Sequence, residues 1–222
     1  MVRFVDTVDG VRLAYEVAGT GEPPMLFIHG WCCDRSYFAP QLRHFAAHHA
    51  VAALDLRGHG DSGRPEPEPG NYDVEALAGD VLAVARAAGL DRPVVVGHSL
   101  GGLAALVCAG RPGAVRAAVL VEPAPMLPGR ARDHLQRSVL DVARDHDGSW
   151  RRDFFARLFM PTDTVRRAQT MAAVDALPAP VASSLLHGFA HFDGAGALDR
   201  VGVPLLVITA GSGETGVREH PA

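Results

Sequence analysis

The residues best equipped for chemistry are Gly97-His98-Ser99-Leu100-Gly101, which fit G-x-S-x-G. A serine hydroxyl becomes a useful nucleophile only when a base takes its proton, an acid orients the base and donors receive the oxyanion. The G-x-S-x-G spacing serves that purpose by setting the serine on a sharp turn between a strand and a helix. Both flanks supply the required context. Ahead lies Pro93-Val94-Val95-Val96, a short β-branched run bounded by a proline, as in a buried strand. Behind, residues 100–109 are apolar and alanine-rich, as in a buried helix. Glycines on both sides of Ser99 permit the strained backbone and close helix–strand packing. The hydroxyl then points into open space at a helix N-terminus, where developing negative charge is favoured. One oxyanion donor is the N–H of Leu100, directly after the serine. The second must come from a neighbouring strand end, where His29-Gly30-Trp31 is well placed and the Trp31 N–H is the expected donor.

The elements that position these groups follow a regular alternation. A hairpin is expected around Asp9-Gly10, from residues 3–8 and 11–18. The apolar run Met25-Leu26-Phe27-Ile28 reads as a strand, 36–48 as a helix and 50–54 as a further strand. The segment 64–71 is rich in proline and glutamate and reads as an exposed loop. Asp73 stands as an N-cap for a helix over 74–88, where Ala76, Leu77, Val81 and Val84 recur at helical spacing. The elbow follows, then strands over 117–121 and 203–208, separated by a proline-punctuated, helix-like insertion over the C-terminal edge of the sheet. Strands apolar on both faces and alternating with helices predict an α/β fold, a mostly parallel sheet covered on both sides.

Composition narrows the chemistry. The chain has 222 residues, 48% hydrophobic and 21% charged, with a formal net charge of −4. These values suit one soluble domain and give no reason to expect nucleic acid or a membrane as partner. No run approaches transmembrane length, and the first residues alternate like a hairpin rather than a signal peptide. Together with only three cysteines (Cys32, Cys33, Cys108), this predicts a cytoplasmic setting. All 21 basic residues are arginine. The absence of lysine excludes Schiff-base chemistry, pyridoxal phosphate attachment, a Ser–Lys dyad and a P-loop. Nothing in the chain calls for a metal or another cofactor.

With HGW, DLRGHGDS and GHSLGG in this order and at these intervals, the chain resembles the α/β-hydrolases. The resemblance runs from the first residues to about Glu214. It implies a core over 1–122 and 199–222, a helical cap over 123–198 and a Ser–acid–His triad. Such enzymes cleave esters, lactones, thioesters or activated C–C bonds without a cofactor, and haloperoxidase-like members share the motifs. Epoxide hydrolases and haloalkane dehalogenases carry aspartate where Ser99 stands, so this chain departs from them. A serine hydrolase acting on a small apolar acyl substrate is the expected activity.

The resemblance places the acid after the strand that follows the cap, where Gly211-Ser212-Gly213-Glu214 fits with glutamate for aspartate. Glu122, before the cap, is the alternative location. Chain order Ser…acid…His favours Glu214. The histidine is implied to follow one more strand and helix, yet the only histidine after Glu214 is His220, with no apolar run between them. The chain therefore reads as C-terminally incomplete, with His220 as a base on an unanchored tail. The competing expectation is a non-catalytic fragment or binding module, with residues 203–208 left as an exposed apolar edge.

Other candidates have plainer readings. His98 packs beneath the serine, and His59 serves the RGHGDS turn structurally. His187 and His191 lie on a polar helix face. The i, i+4 pair among His44, His48 and His49 lacks a carboxylate or cysteine cluster and reads as a solvated face, with no metal. Vicinal Cys32 and Cys33 read as small apolar residues at the pocket mouth. Trp150, Phe154, Phe155, Leu158, Phe159 and Met160 could wall an acyl pocket or pack a helix onto the sheet.

Overall fold

Chain alternation becomes one mixed sheet in the computed structural model, which describes residues 1–123, 129–160, 162–209 and 218–219, with 129–132 and 218–219 by backbone alone. The strands are β1 (Val2–Asp6), β2 (Arg12–Ala18), β3 (Met25–Ile28), β4 (Val51–Leu54), β5 (Val94–His98), β6 (Ala117–Val121), β7 (Leu205–Ile208) and β8 (Arg218–Glu219). Their spatial order is β1-β2-β4-β3-β5-β6-β7-β8. Strands β4, β3, β5, β6 and β7 run parallel, while β1 and β2 at one edge and β8 at the other pair antiparallel.

Successive residues of the central strands enter two separate cores, the period-2 signature of a sheet covered on both faces. Leu26 and Ile28 of β3, Ala52 and Leu54 of β4, and Val95 of β5 join the larger core. Helices α2 (Val74–Ala87) and α3 (Leu100–Ala109) contribute to that core. Phe27, Val51, Ala53 and Val96 face the other way, onto Leu42 and Phe45 of α1 (Ala39–Phe45).

Several elements differ from the sequence reading for identifiable reasons. The helix expected over 36–48 is split into a 3₁₀ turn, Arg35–Phe38, and α1. Pro40 sits in the first turn of α1, where its missing N–H is tolerated only if the helix restarts there. Asp73 does occupy the N-cap position of α2, but its side chain makes no cap hydrogen bond. Its carbonyl accepts instead, from the N–H groups of Ala76 (3.0 Å) and Leu77 (3.1 Å).

The insertion between β6 and β7 comprises five helices among the described residues: α4 (Gly129–Ala143), α5 (Ser149–Ala156), α6 (Thr164–Ala176), α7 (Ala179–Ala190) and α8 (Gly194–Asp199). Buried Arg151, on α5, ties the turn after α4 to the end of α6. It pairs with Asp145 at 2.8 Å and donates to the Leu177 carbonyl at 2.5 Å and that of Val174 at 3.3 Å. Past β7 the sequence offers no apolar run and predicts no further strand, yet β8 pairs antiparallel with β7 through Leu206↔Glu219 and Val207↔Arg218. Two residues can pair through backbone groups alone, so no hydrophobic signal announces them.

Candidate active site

Ser99 lies between the last residue of β5 and the first of α3, with φ 50° and ψ −116°. This is left-handed territory that a side-chain-bearing residue occupies only when its surroundings over-determine it. The surroundings here are backbone. Ser99 N–H donates to Val121 O at 2.9 Å, and Ser99 O accepts from Gly102 N–H at 2.8 Å and Leu103 N–H at 3.2 Å. A Cβ on Gly97 would lie 2.2 Å from Gly101 O. One on Gly101 would lie 2.4 Å from both Ile28 O and His29 O. Without side chains at these positions, the first turn of α3 presses directly onto β5 and the end of β3. Among the described residues, the Ser99 hydroxyl has no hydrogen-bond partner.

The close approach of Gly101 to His29 O brings the 29–31 loop beside the start of α3. Within the described residues, neither the Trp31 nor the Leu100 backbone N–H donates to an acceptor. The Trp31 side chain is buried and engaged elsewhere. Its indole N–H donates to Ala182 O on α7 at 3.1 Å, and its ring packs against Phe154 and Phe155 with centroids 6.2 and 5.7 Å away. Trp31 therefore joins the loop after β3 to the helices between β6 and β7.

Two buried histidines brace the same loop. His29 Nε2 accepts from Leu56 N–H at 3.0 Å, and its Nδ1 meets Gly30 O at 2.8 Å. His59 Nε2 accepts from Cys32 N–H at 3.1 Å, and its Nδ1 meets Arg57 O at 3.1 Å. A carbonyl can only accept, so both rings carry the proton on Nδ1 and keep the Nε2 lone pair. The rings meet edge to face at 4.9 Å. Burial holds the charged form of each down; for His59, burial and then the neighbouring His29 push the pKa to about 3. His98, beside Gly30, is lowered for the same reason.

The sign of the resulting pH dependence is fixed. Between pH 6.5 and about 3, the unfolded chain binds a proton at His59 that the folded chain does not, so stability falls as pH falls. The expected slope is about 1.4 kcal/mol per pH unit for this group. Replacing His59 by glutamine is expected to remove that contribution between pH 6 and pH 4 in urea unfolding curves. A variant with the parent's slope would contradict the assignment.

The family model described as the alpha/beta hydrolase fold matches residues 23–219. The chain belongs to the alpha/beta hydrolase fold family. Among relatives of this family, the pimeloyl-[acyl-carrier protein] methyl ester esterase of Xanthomonas campestris pv. campestris (strain B100) is 31% identical over 199 residues, 83% of this chain and 70% of that protein. Epoxide hydrolase 4 of Mus musculus is 36% identical over 109 residues, 49% of this chain and 30% of that protein. A hydrolase from Pseudomonas aeruginosa PA01 superposes with a TM-score of 0.81 at 26% identity, covering 94% of this chain and 80% of that one. Against four curated relatives the chain spans only 24% to 32% of their length. No helix among the described residues is long and apolar enough to cross a membrane.

Within this alpha/beta hydrolase fold, the residues singled out by sequence divide into three groups. Ser99, Leu100 and Trp31 sit around the junction of β3, β5 and α3. Glu122 follows the last residue of β6, whose Val121 pairs with His98, and its backbone has φ 50°. Its N–H donates to Ile208 O at 2.8 Å. Glu214 and His220 lie outside the described residues. Of the aromatic run in the insertion, Phe155 is buried against Trp31, Trp150 stacks on Phe154 at 5.7 Å, and Leu158 and Met160 are exposed. The sequence reading missed the interlocked bonds of His29 and His59. The HGW and RGHG motifs marked both residues, but nothing local pairs positions 27 residues apart.

Proposed function

We propose that this chain is a serine hydrolase that transfers an acyl group from an apolar ester, lactone or related substrate to water. The observation that carries the reading is Ser99 itself: held at φ 50° between strand and helix, beside two backbone N–H groups without a described acceptor. In this reading the Ser99 hydroxyl oxygen bonds to the acyl carbon while its proton passes to a histidine base. The Trp31 and Leu100 N–H groups hold the oxyanion. Collapse of the tetrahedral intermediate expels the alcohol, which takes the proton from the base. Water then repeats the sequence on the acyl-enzyme and frees Ser99.

The base assigned here is His220 and the acid Glu214, with Glu122 as the alternative acid beside the elbow strand. The helical insertion, tied to the elbow side by Trp31 and Ala182, would cap an apolar pocket. An esterase among the relatives supports this reading. A fluorophosphonate probe tests it: prompt labelling, located at Ser99 by peptide mass spectrometry, is the expected result. An unlabelled chain would instead favour a binding module.

A further inference from the structure

The loop after β3 carries a strained residue whose restraint the proposed chemistry leaves unexplained. Cys32 is fully buried and has φ 54°, a conformation that costs energy for any residue with a Cβ. Its N–H is sealed from water, and the acceptor it finds is not a carbonyl but His59 Nε2, at 3.1 Å. That ring nitrogen can accept only because Arg57 O, at 3.1 Å, keeps the proton on Nδ1. The preceding peptide is restrained in parallel. Gly30 O accepts from His29 Nδ1–H at 2.8 Å and from Cys33 N–H at 3.2 Å. In a planar trans peptide, fixing the Gly30 carbonyl also fixes the direction of the Trp31 N–H on the opposite side. Two consecutive peptide planes are therefore each held by an imidazole, and the Trp31 N–H belongs to the first of them.

We propose that His29 and His59 are positioning residues that together aim the Trp31 N–H at the oxyanion: His29 fixes the peptide that carries this N–H, and His59 fixes the next one by clamping the Cys32 N–H. The inference rests on the acyl-transfer reading of Ser99. It differs from a general packing role because it requires an acceptor at one ring nitrogen, not merely a ring. His59→Phe keeps a ring of similar size and leaves the buried Cys32 N–H unpaired. His59→Gln supplies an amide oxygen that reaches where Nε2 lay.

The test combines steady-state hydrolysis of p-nitrophenyl acetate with hydrogen exchange at the Cys32 amide. Expected for His59→Phe is a fall in kcat of about 10- to 100-fold at nearly constant KM, because a misaimed oxyanion donor weakens the transition state selectively. Cys32 amide exchange should accelerate alongside. In His59→Gln both values should return most of the way to the parent's. Parent-like kcat in His59→Phe, or equal losses in both variants, would overturn the proposal. A parent chain without Ser99 turnover would refute the acyl-transfer reading separately. The exchange measurement would then still decide the clamp, since an unchanged Cys32 amide in His59→Phe overturns it.

Discussion

Ser99→Ala is expected to lower kcat/KM for a p-nitrophenyl ester by about 10⁴-fold or more, roughly 5 kcal/mol of transition-state stabilisation. The residual rate is what an oxyanion hole and substrate binding retain after the nucleophile is lost. Structure separates this loss from unfolding. Alanine keeps the Cβ that already tolerates φ 50°, and the deleted hydroxyl has no hydrogen-bond partner among the described residues. The melting temperature should therefore stay within a degree or two of the parent, about 0.5 kcal/mol. Parent-level turnover in the variant would remove Ser99 from the chemistry. A collapse in melting temperature would instead assign the hydroxyl a structural role.

How much of this was legible in the residues depends on the range of the interaction. Strand β3 and strand β6 occupy the positions that their apolar runs predict, and the elbow is readable because G-x-S-x-G, a valine strand and an alanine-rich helix agree locally. Helix α1 begins late because Pro40 restarts it, a signal present in the chain but outweighed by the apolar pattern. Within the insertion, α5 is joined to the turn after α4 and to the end of α6 through Arg151, Asp145 and the carbonyls of Val174 and Leu177, contacts that no periodicity specifies. The same holds for the site. Ser99, Leu100 and Trp31 were named by motif, whereas the His29–Leu56 and Cys32–His59 bonds join two loops that only the pairing of β3 with β4 brings together. Cys32's left-handed backbone was invisible for a related reason, because a glycine is the usual mark of such a turn.

Glycine content offers the sharpest mechanical test of how the elbow is built, since two helical glycines should respond to alanine in opposite directions. At Gly79, within α2, an added Cβ meets nothing within 4 Å, so alanine should raise stability by about 0.5–1 kcal/mol through chain entropy alone. At Gly101, in the first turn of α3, the same methyl group would stand 2.4 Å from both Ile28 O and His29 O. Those atoms are backbone at the end of a fully paired central strand, so no rotamer change relieves the clash. Relief requires moving α3 away from β3, which opens the core around fully buried Leu100 and Leu103. Overpacking of this kind costs about 3 kcal/mol or more, a large share of a domain's net stability. Thermal unfolding of Gly101→Ala should therefore drop by about 6–12 °C, while Gly79→Ala rises by about 2 °C. Displacement of α3 would also part the Leu100 N–H from the Trp31 loop, so esterolysis should fall further than the folded fraction alone explains. Equal melting temperatures for the two variants would mean that close contact between α3 and β3 is not what holds Ser99 in its strained turn.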